Sequence, residues 1–518
     1  MFFADYRQKQ IEEDTEMGKV SHRTSRVGEF TAGNKGGMDA GATPQVDAAF
    51  HLETEGTGVI ARERRHGQPR ELFFVWFAAV LTFTGVIMGQ LFTSLGLNIW
   101  ESLFAALLCS ISFVALGWVA ATGPKGGTVT LTISRAAFGT RGNRVPAFFS
   151  WLSAVGWESV TMVLTVWALL SLAQFVGLTA QGTVPTVLAL LLTIALTYIV
   201  PIMGHATVIT MQKWLAIALG VFGIILVIAV FPHVNWHFSP TAKEMAADGV
   251  FPTFLLALSV GLITTVYGWI NFAADYSRYL PETTSARKIV GWTLLGGGIA
   301  SMIVMTIGVL LGTYISSTAF SANPVMAIAK AVPAWAAIPF LLVVVIGDIT
   351  ANYLNAYSSG MSFLSMGVPM KRFWAVVLDG TLCTLIALYA LFLSPGFVNF
   401  FENFLSLNIL VIGPWAVIYL IYHHMAGGQY DAAGLMNNGP TGAYWYTNGI
   451  NWRAMVAFII GVVGTFWTVN SALWVSPLSK ELFGGADLSA YMAPVITGLV
   501  YYWLTVKRQT AVKVAKMQ

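Results

Sequence analysis

Six polar residues crowd into one apolar stretch of the chain. In VVVIGDITANYLNAYSSGMSF (343–363), Asp348, Thr350, Asn352, Asn355, Ser358 and Ser359 interrupt aliphatic and aromatic residues. Asp348, Asn352, Asn355 and Ser359 follow one another at i, i+4, i+7 and i+11, which is one face of a helix, and Thr350 lies off the middle of that stripe. Carboxamides both donate and accept hydrogen bonds, so they suit a small planar solute whose rim offers both kinds of group. A second stretch, WLSAVGWESVTMVL (151–164), sets Trp157 and Thr161 four apart on one face, with Glu158 between them in sequence. A third, TTVYGWINFAADYSRYLP (264–281), puts Trp269 and Asn271 beside Gly268. Indole faces stack on flat heterocycles, at roughly 1–3 kcal/mol per base. In FTGVIMG (83–89), Thr84, Gly85 and Gly89 have two readings. They are small residues for close helix packing, or a weak point where a helix breaks and its freed carbonyls line a site.

Such groups have to be held within an apolar medium. The 518 residues are 56% hydrophobic and only 10% charged, against about 25% charged in soluble proteins. That excludes a soluble cytosolic enzyme, a disordered chain and a nucleic-acid binder, which needs clustered Lys and Arg on a polar surface. A bilayer core of about 30 Å takes ~20 apolar residues per helix. Twelve stretches qualify, at approximately 72–97, 100–122, 146–174, 184–204, 207–231, 251–274, 289–315, 335–364, 372–394, 397–422, 453–475 and 490–506. These runs are long rather than alternating ten-residue strands, so the expected fold is an all-α integral membrane protein and not a barrel. A polar group in hydrocarbon is costly unless it meets a partner or a cavity, which makes the residues above functional candidates.

Charge outside the spans predicts the orientation. With both termini cytoplasmic, 25 of the 28 Lys and Arg residues fall inside, and only Lys243, Lys330 and Lys480 fall outside. Residues 1–70 are polar, Gly-rich and free of a signal-peptide apolar core, and read as a mostly disordered cytoplasmic tail. The transporter domain is expected over 71–508, followed by a short cytoplasmic tail at 509–518. Asp275 and Arg278, three apart, are expected to pair and close the inner face. Cys109 and Cys383 lie in apolar runs and read as buried thiols, with no disulfide or metal motif. His423 and His424 are adjacent, do not share a helix face, and offer no catalytic constellation. An ion channel would have no use for tryptophans and amides at mid-depth. The residues therefore predict a twelve-helix transporter for a small, neutral, planar polar solute.

Several segments carry a family resemblance. GPKGG (123–127) with SRAAFG (134–139), GW (156–157), DYSRYLP (275–281) and NAYSSG (355–360) resemble the nucleobase–cation symport family, most closely its purine–cytosine permease branch. GGQYDAAGLM…YWYTNGINWRA (427–454) is similar to that family's loop between spans 10 and 11. The resemblance covers roughly residues 70–508 and implies a five-plus-five inverted-repeat core with two extra helices, working by alternating access. It implies import of a nucleobase, cytosine or purine or a related planar heterocycle, with a coupling cation. Trp157 matches the stacking tryptophan of span 3, and Trp269 the span 6 aromatic; other members carry that aromatic near Val266, so Tyr267 stays open as a neighbour. Asn352 and Asn355 match span 8 amides, and Thr84 and Gly85 fall at the break of span 1. Thr161 stands where similar permeases have an amide, and Glu158 is grouped with these substrate-binding residues.

For coupling, the resemblance points to Thr350, and burial of a carboxyl to Asp348. Sodium seeks several oxygen ligands, by the hard-cation logic used for calcium. Sodium-coupled relatives place paired hydroxyls just before the span 8 amides, whereas here Thr350 is followed by Ala351, with Gly347 upstream. H+ is therefore expected over Na+, with Asp348 and Glu158 as alternative carriers, since burial favours the neutral carboxyl. No cofactor, metal or nucleic acid is expected; the partners are a small-molecule substrate and the bilayer, in a plasma or inner membrane. Rival solutes are hydantoin, allantoin, thiamine or a nucleoside, and the rival class is a non-transporting membrane sensor of the same fold.

Overall fold

The computed structural model describes residues 47–517, except 54, 317, 319, 321–322 and 395; the side chains at 242, 397–402, 405–407 and 506–517 also lie outside the description. Residues 1–46 of the expected tail are thus outside the described residues. Among those described, nine helices are long and apolar enough to cross a membrane: Ile99–Gly126, Arg144–Phe175, Thr183–Met203, His205–His233, Val250–Tyr276, Ala286–Gly312, Ala334–Ser365, Arg372–Phe392 and Asn408–Met425. A tenth is the bent pair Glu71–Val80 and Phe83–Ser94, which turns by 57°. Trp452–Phe466 and Ser489–Met517 complete the series, so each of the twelve expected spans has its helix. The last helix runs past residue 508 into the segment assigned to the C-terminal tail.

Helix ends follow local chemistry. Span 2 begins at a capping box, in which Asn98 accepts from the Trp100 and Glu101 amides while the Glu101 carboxylate accepts from Asn98 N. The lipid face is legible on span 5. Trp214, Ile217, Val221, Ile224 and Ile228 recur at helical spacing and are all exposed large apolar side chains.

Two spans are broken, and they are five apart in chain order. Span 1 breaks at Leu81–Thr82, whose backbone leaves the helical region. Span 6 breaks at Thr265 (φ −89°, ψ −95°) and continues through Val266–Trp269 into a tighter 3-10 turn over Ile270–Tyr276. Equivalent breaks in spans 1 and 6 belong to an inverted repeat of spans 1–5 and 6–10, with spans 11 and 12 outside it. Spans 3 and 8 pack along much of their length, and the second half of span 1 lies along span 7. The latter approach is backbone to backbone: a Cβ on Gly89 would stand 2.9 Å from Met305 Cα, and one on Gly308 2.9 Å from Gly89 Cα. Gly89 therefore serves packing.

The connections sort into two ends of the bundle. The loop after span 10 bonds to the loop after span 2: Gly449 O accepts from Arg141 N, and Asn451 Nδ2 donates to Ala137 O. At the opposite end, Ala246 N donates to Leu95 O and Asp248 N to Gly484 O, joining the loops after spans 1, 5 and 11. That alternation is what the twelve-span count requires.

Residues 47–66, placed with the tail on sequence grounds, run across the end that carries the loops after spans 2, 4 and 6. Glu53 N donates to Met203 O, Ile60 N to Gly127 O and His66 N to Tyr279 O. Arg65 Nη1 donates to Pro124 O at 2.6 Å. The Glu53 carboxylate, 2% exposed, pairs with Arg278 and accepts from Tyr279 OH at 3.0 Å, Tyr357 OH at 3.1 Å and His205 N at 3.0 Å. The expected Asp275–Arg278 pair is not formed. Asp275 Oδ1 instead accepts from Thr130 N at 2.8 Å and Thr130 Oγ1 at 2.7 Å. A local i, i+3 contact has given way to a long-range carboxylate that reaches Arg278 better.

Candidate functional site

The two breaks open onto one cavity. Its walls include Thr84 and Gly85 from span 1, Trp157 and Thr161 from span 3, Trp269 from span 6 and Asn355 from span 8. Ser301, Val304 and Met305 of span 7 close the remaining side, a wall the sequence reading did not single out. The cavity holds about 40 Å³, room for a few waters, so its walls are drawn in and a ring-sized solute needs them to part.

Each indole is held by a neighbouring ring edge. Trp157 meets Phe404 at 5.4 Å between centroids and 84° between planes; Trp269 meets Trp76 at 6.0 Å and 75°. Such edge contacts fix ring orientation. The amides form a chain: Thr161 Oγ1 donates to Asn352 Oδ1 at 2.5 Å, Asn355 Nδ2 donates to the same oxygen at 3.2 Å, and Asn352 Nδ2 donates to Glu158 O at 3.2 Å. Asn352 therefore stands behind the wall and orients Thr161 and Asn355. Two buried atoms at the cavity residues, Thr84 Oγ1 and Asn355 Oδ1, have no hydrogen-bond partner. Buried polar atoms are ordinarily paired, so this pair can serve a solute offering both a donor and an acceptor.

Other candidates lie elsewhere. Glu158, grouped with the substrate residues, accepts a hydrogen bond from Tyr198 of span 4 and lies close to Asp379 and Cys383 of span 9. It sits away from the cavity because its neighbours Trp157 and Thr161 occupy the helix face that lines it. Asn271 Nδ2 donates to Ser150 Oγ at 2.7 Å, and Tyr267 OH to Ala490 O at 2.8 Å, so neither belongs to the cavity walls. Gly85 and Thr84 follow the span 1 break rather than forming it.

Asp348 and Thr350 gather at that break. Asp348 Oδ1 accepts from Phe83 N at 3.2 Å, capping the second half of span 1 at its positive dipole end. Its Oδ2 has no hydrogen-bond partner. Thr350 Oγ1 reaches Ala78 O at 3.1 Å and Gly347 O at 2.7 Å. Ala351, the next residue, adds only a methyl and lines the cavity, so no second hydroxyl stands beside Thr350 in sequence. Gln212 of span 5 donates to Thr350 O at 2.8 Å, a support no sequence pattern indicated. Cys109 and Cys383 are both buried, as expected. His423 Nδ1 lies 2.8 Å from Tyr430 OH and its ring stacks on Tyr430, a contact at the loop after span 10.

Two interrupted spans around a mid-depth cavity, backed by a long helix pair, define a secondary transporter and not an enzyme. The pattern of the family described as permease for cytosine/purines, uracil, thiamine, allantoin matches residues 59–491, and the chain belongs to that family. The resemblance seen in DYSRYLP and NAYSSG to the nucleobase–cation symport family therefore holds. Among relatives, the putative purine-cytosine permease YxlA of Bacillus subtilis (strain 168) is 28% identical over 464 residues, covering 86% of this chain and 94% of the relative. The vitamin B6 transporter TPN1 of Saccharomyces cerevisiae is 22% identical over 532 residues, covering 88% and 87%. Among solved structures, Mhp1, a nucleobase-cation-symport-1 family transporter in a closed conformation with bromovinylhydantoin bound, matches with TM-score 0.68 and 18% identity, covering 88% of this chain and 96% of that one. That likeness establishes the fold.

Proposed function

We propose that this chain imports a nucleobase or a related planar heterocycle together with a proton, by alternating access. The supporting observation is the cavity itself: two tryptophans and the orphan atoms Thr84 Oγ1 and Asn355 Oδ1 on one wall set. The solute ring lies between Trp157 and Trp269, and Asn355, held by Asn352, reads its rim. The end that carries residues 47–66 faces the cytoplasm, in line with the 25 cations assigned there. Proton coupling is supported by Asp348, fully buried at the span 1 break with one free carboxylate oxygen. The absence of a second hydroxyl beside Thr350, where Ala351 stands, argues against sodium in the same place.

The deciding experiment is uptake of labelled base into vesicles, competed by pyrimidines, purines, hydantoins and thiamine, with and without sodium. Cytosine or a purine should compete best, and an acid-outside gradient should drive accumulation without sodium. Competition by thiamine alone would replace the solute; strict sodium dependence would replace the ion. Asn355→Ala should reorder the competitors while the amount of protein in the membrane stays level. A fall in amount with an unchanged order would assign Asn355 to packing. Asp348→Asn should flatten the pH profile of uptake, and an intact profile would remove Asp348 from coupling.

A further inference from the structure

A second acidic group lies behind the cavity. Glu158 of span 3 and Asp379 of span 9 are both fully buried, and one carboxyl oxygen of each lies within 4.8 Å of the other and of Cys383 Sγ. Glu158 Oε1 accepts from Tyr198 OH of span 4. Asp379 Oδ2 accepts from Ser359 Oγ of span 8, and its Oδ1 from Trp151 Nε1 of span 3 at 3.1 Å. Glu158 Oε2 has no partner. No ion pair among the described residues includes either acid. Among the described residues, the groups facing the pair are Tyr198, Ser359, Trp151 and Cys383, and none is a cation.

We propose that Glu158 and Asp379 share one proton and form a proton-binding site that ties spans 3, 4, 8 and 9 together. Two carboxylates this close, with no compensating cation inside an apolar bundle, cannot both stay charged. The proton sits between Glu158 Oε2 and an Asp379 oxygen, which has a second lone pair free. It comes from water and returns to water, with no other bond made or broken. A metal ion fits less well. The site offers three donor residues, short of the four of a closed zinc site, and three of its four carboxyl oxygens already accept hydrogen bonds.

The site also touches the substrate wall through one peptide group. Glu158 O accepts from Asn352 Nδ2 at 3.2 Å. A shift of Glu158 on gaining or losing the proton therefore moves the anchor of Asn352, the side chain that positions Thr161 and Asn355. Spans 3 and 9 repel once both acids ionise, so the proton holds them together.

Infrared spectroscopy of the purified full-length protein in H2O and D2O tests this without substrate, so its outcome is separable from that of the transport assays. At neutral pH the wild type should show a deuterium-sensitive neutral-carboxyl band that persists in Asp348→Asn. Glu158→Gln/Asp379→Asn should lose one carboxyl's intensity, and Asp379→Asn alone, the variant less prone to misfold, should shift that band. The apparent melting temperature of the wild type should fall at alkaline pH, and that of the double variant should not. Intensity unchanged in the double variant means both acids were ionised, and loss of two carboxyls' intensity means both were neutral; either overturns the shared proton. A stoichiometric metal found by mass spectrometry also overturns it.

Discussion

Glu53→Ala should destabilise the folded protein by about 3–5 kcal/mol, the usual cost of removing one partner from a buried ion pair. Arg278 is completely buried, and without Glu53 its charge has no carboxylate partner. Arg278→Ala should cost a similar amount, because the Glu53 carboxylate is then left among Tyr279 and Tyr357. The two losses should not add, since they break the same contact. Thermal unfolding of the detergent-solubilised protein reads this directly, and unchanged stability in both single variants would refute the pairing. A pH dependence accompanies it. Burial pushes the Glu53 carboxyl up, but Arg278, Arg372 and His205 outweigh burial and leave it below its ordinary value of 4.5. A lowered folded pKa means that the unfolded chain takes up the proton first. The contribution of Glu53 is thus complete above the ordinary value and fades as pH falls through the folded one.

Trp157→Ala should weaken solute binding by roughly 1–3 kcal/mol, a loss of about five- to 150-fold, through removal of a stacking face. Gly156 and Trp157 lie where span 3 meets Phe404, so Trp157→Phe is the control that keeps a ring in place. It should recover most of the affinity, while Trp157→Ala with wild-type affinity would dismiss the stacking role. Equilibrium binding to purified protein separates this effect from changes in transport rate.

What the sequence disclosed follows from the cost of polarity in a bilayer. Thr161, Asn352 and Asn355 could be found because amides and hydroxyls within apolar runs need a reason to be there, and the structure links all three. The same cost applies to Asp379, a carboxyl within span 9, whose partners Ser359 and Trp151 come from spans 8 and 3. The sequence points to a break at Thr84 and Gly85, glycine being intrinsically weak in a helix; the structure sets it at Leu81–Thr82, where Asp348, far along the chain, caps Phe83 N. Residues 47–66 were invisible for a related reason. Their composition is that of a solvated tail, and their partners Met203, Arg278 and Tyr357 stand more than a hundred residues away. No local period encodes such contacts.

The segment preceding the first helix also has a practical consequence for shortening the chain. A truncation at Glu71, where the first membrane helix starts, would discard Glu53 and Arg65 together with the backbone bonds from Glu53 and Ile60. Arg278 would lose its counter-ion, and the carbonyls of Gly127 and Met203 their donors. Trimming that stops ahead of Asp47 keeps all of these contacts, so purification handles and fluorescent fusions belong upstream of that residue.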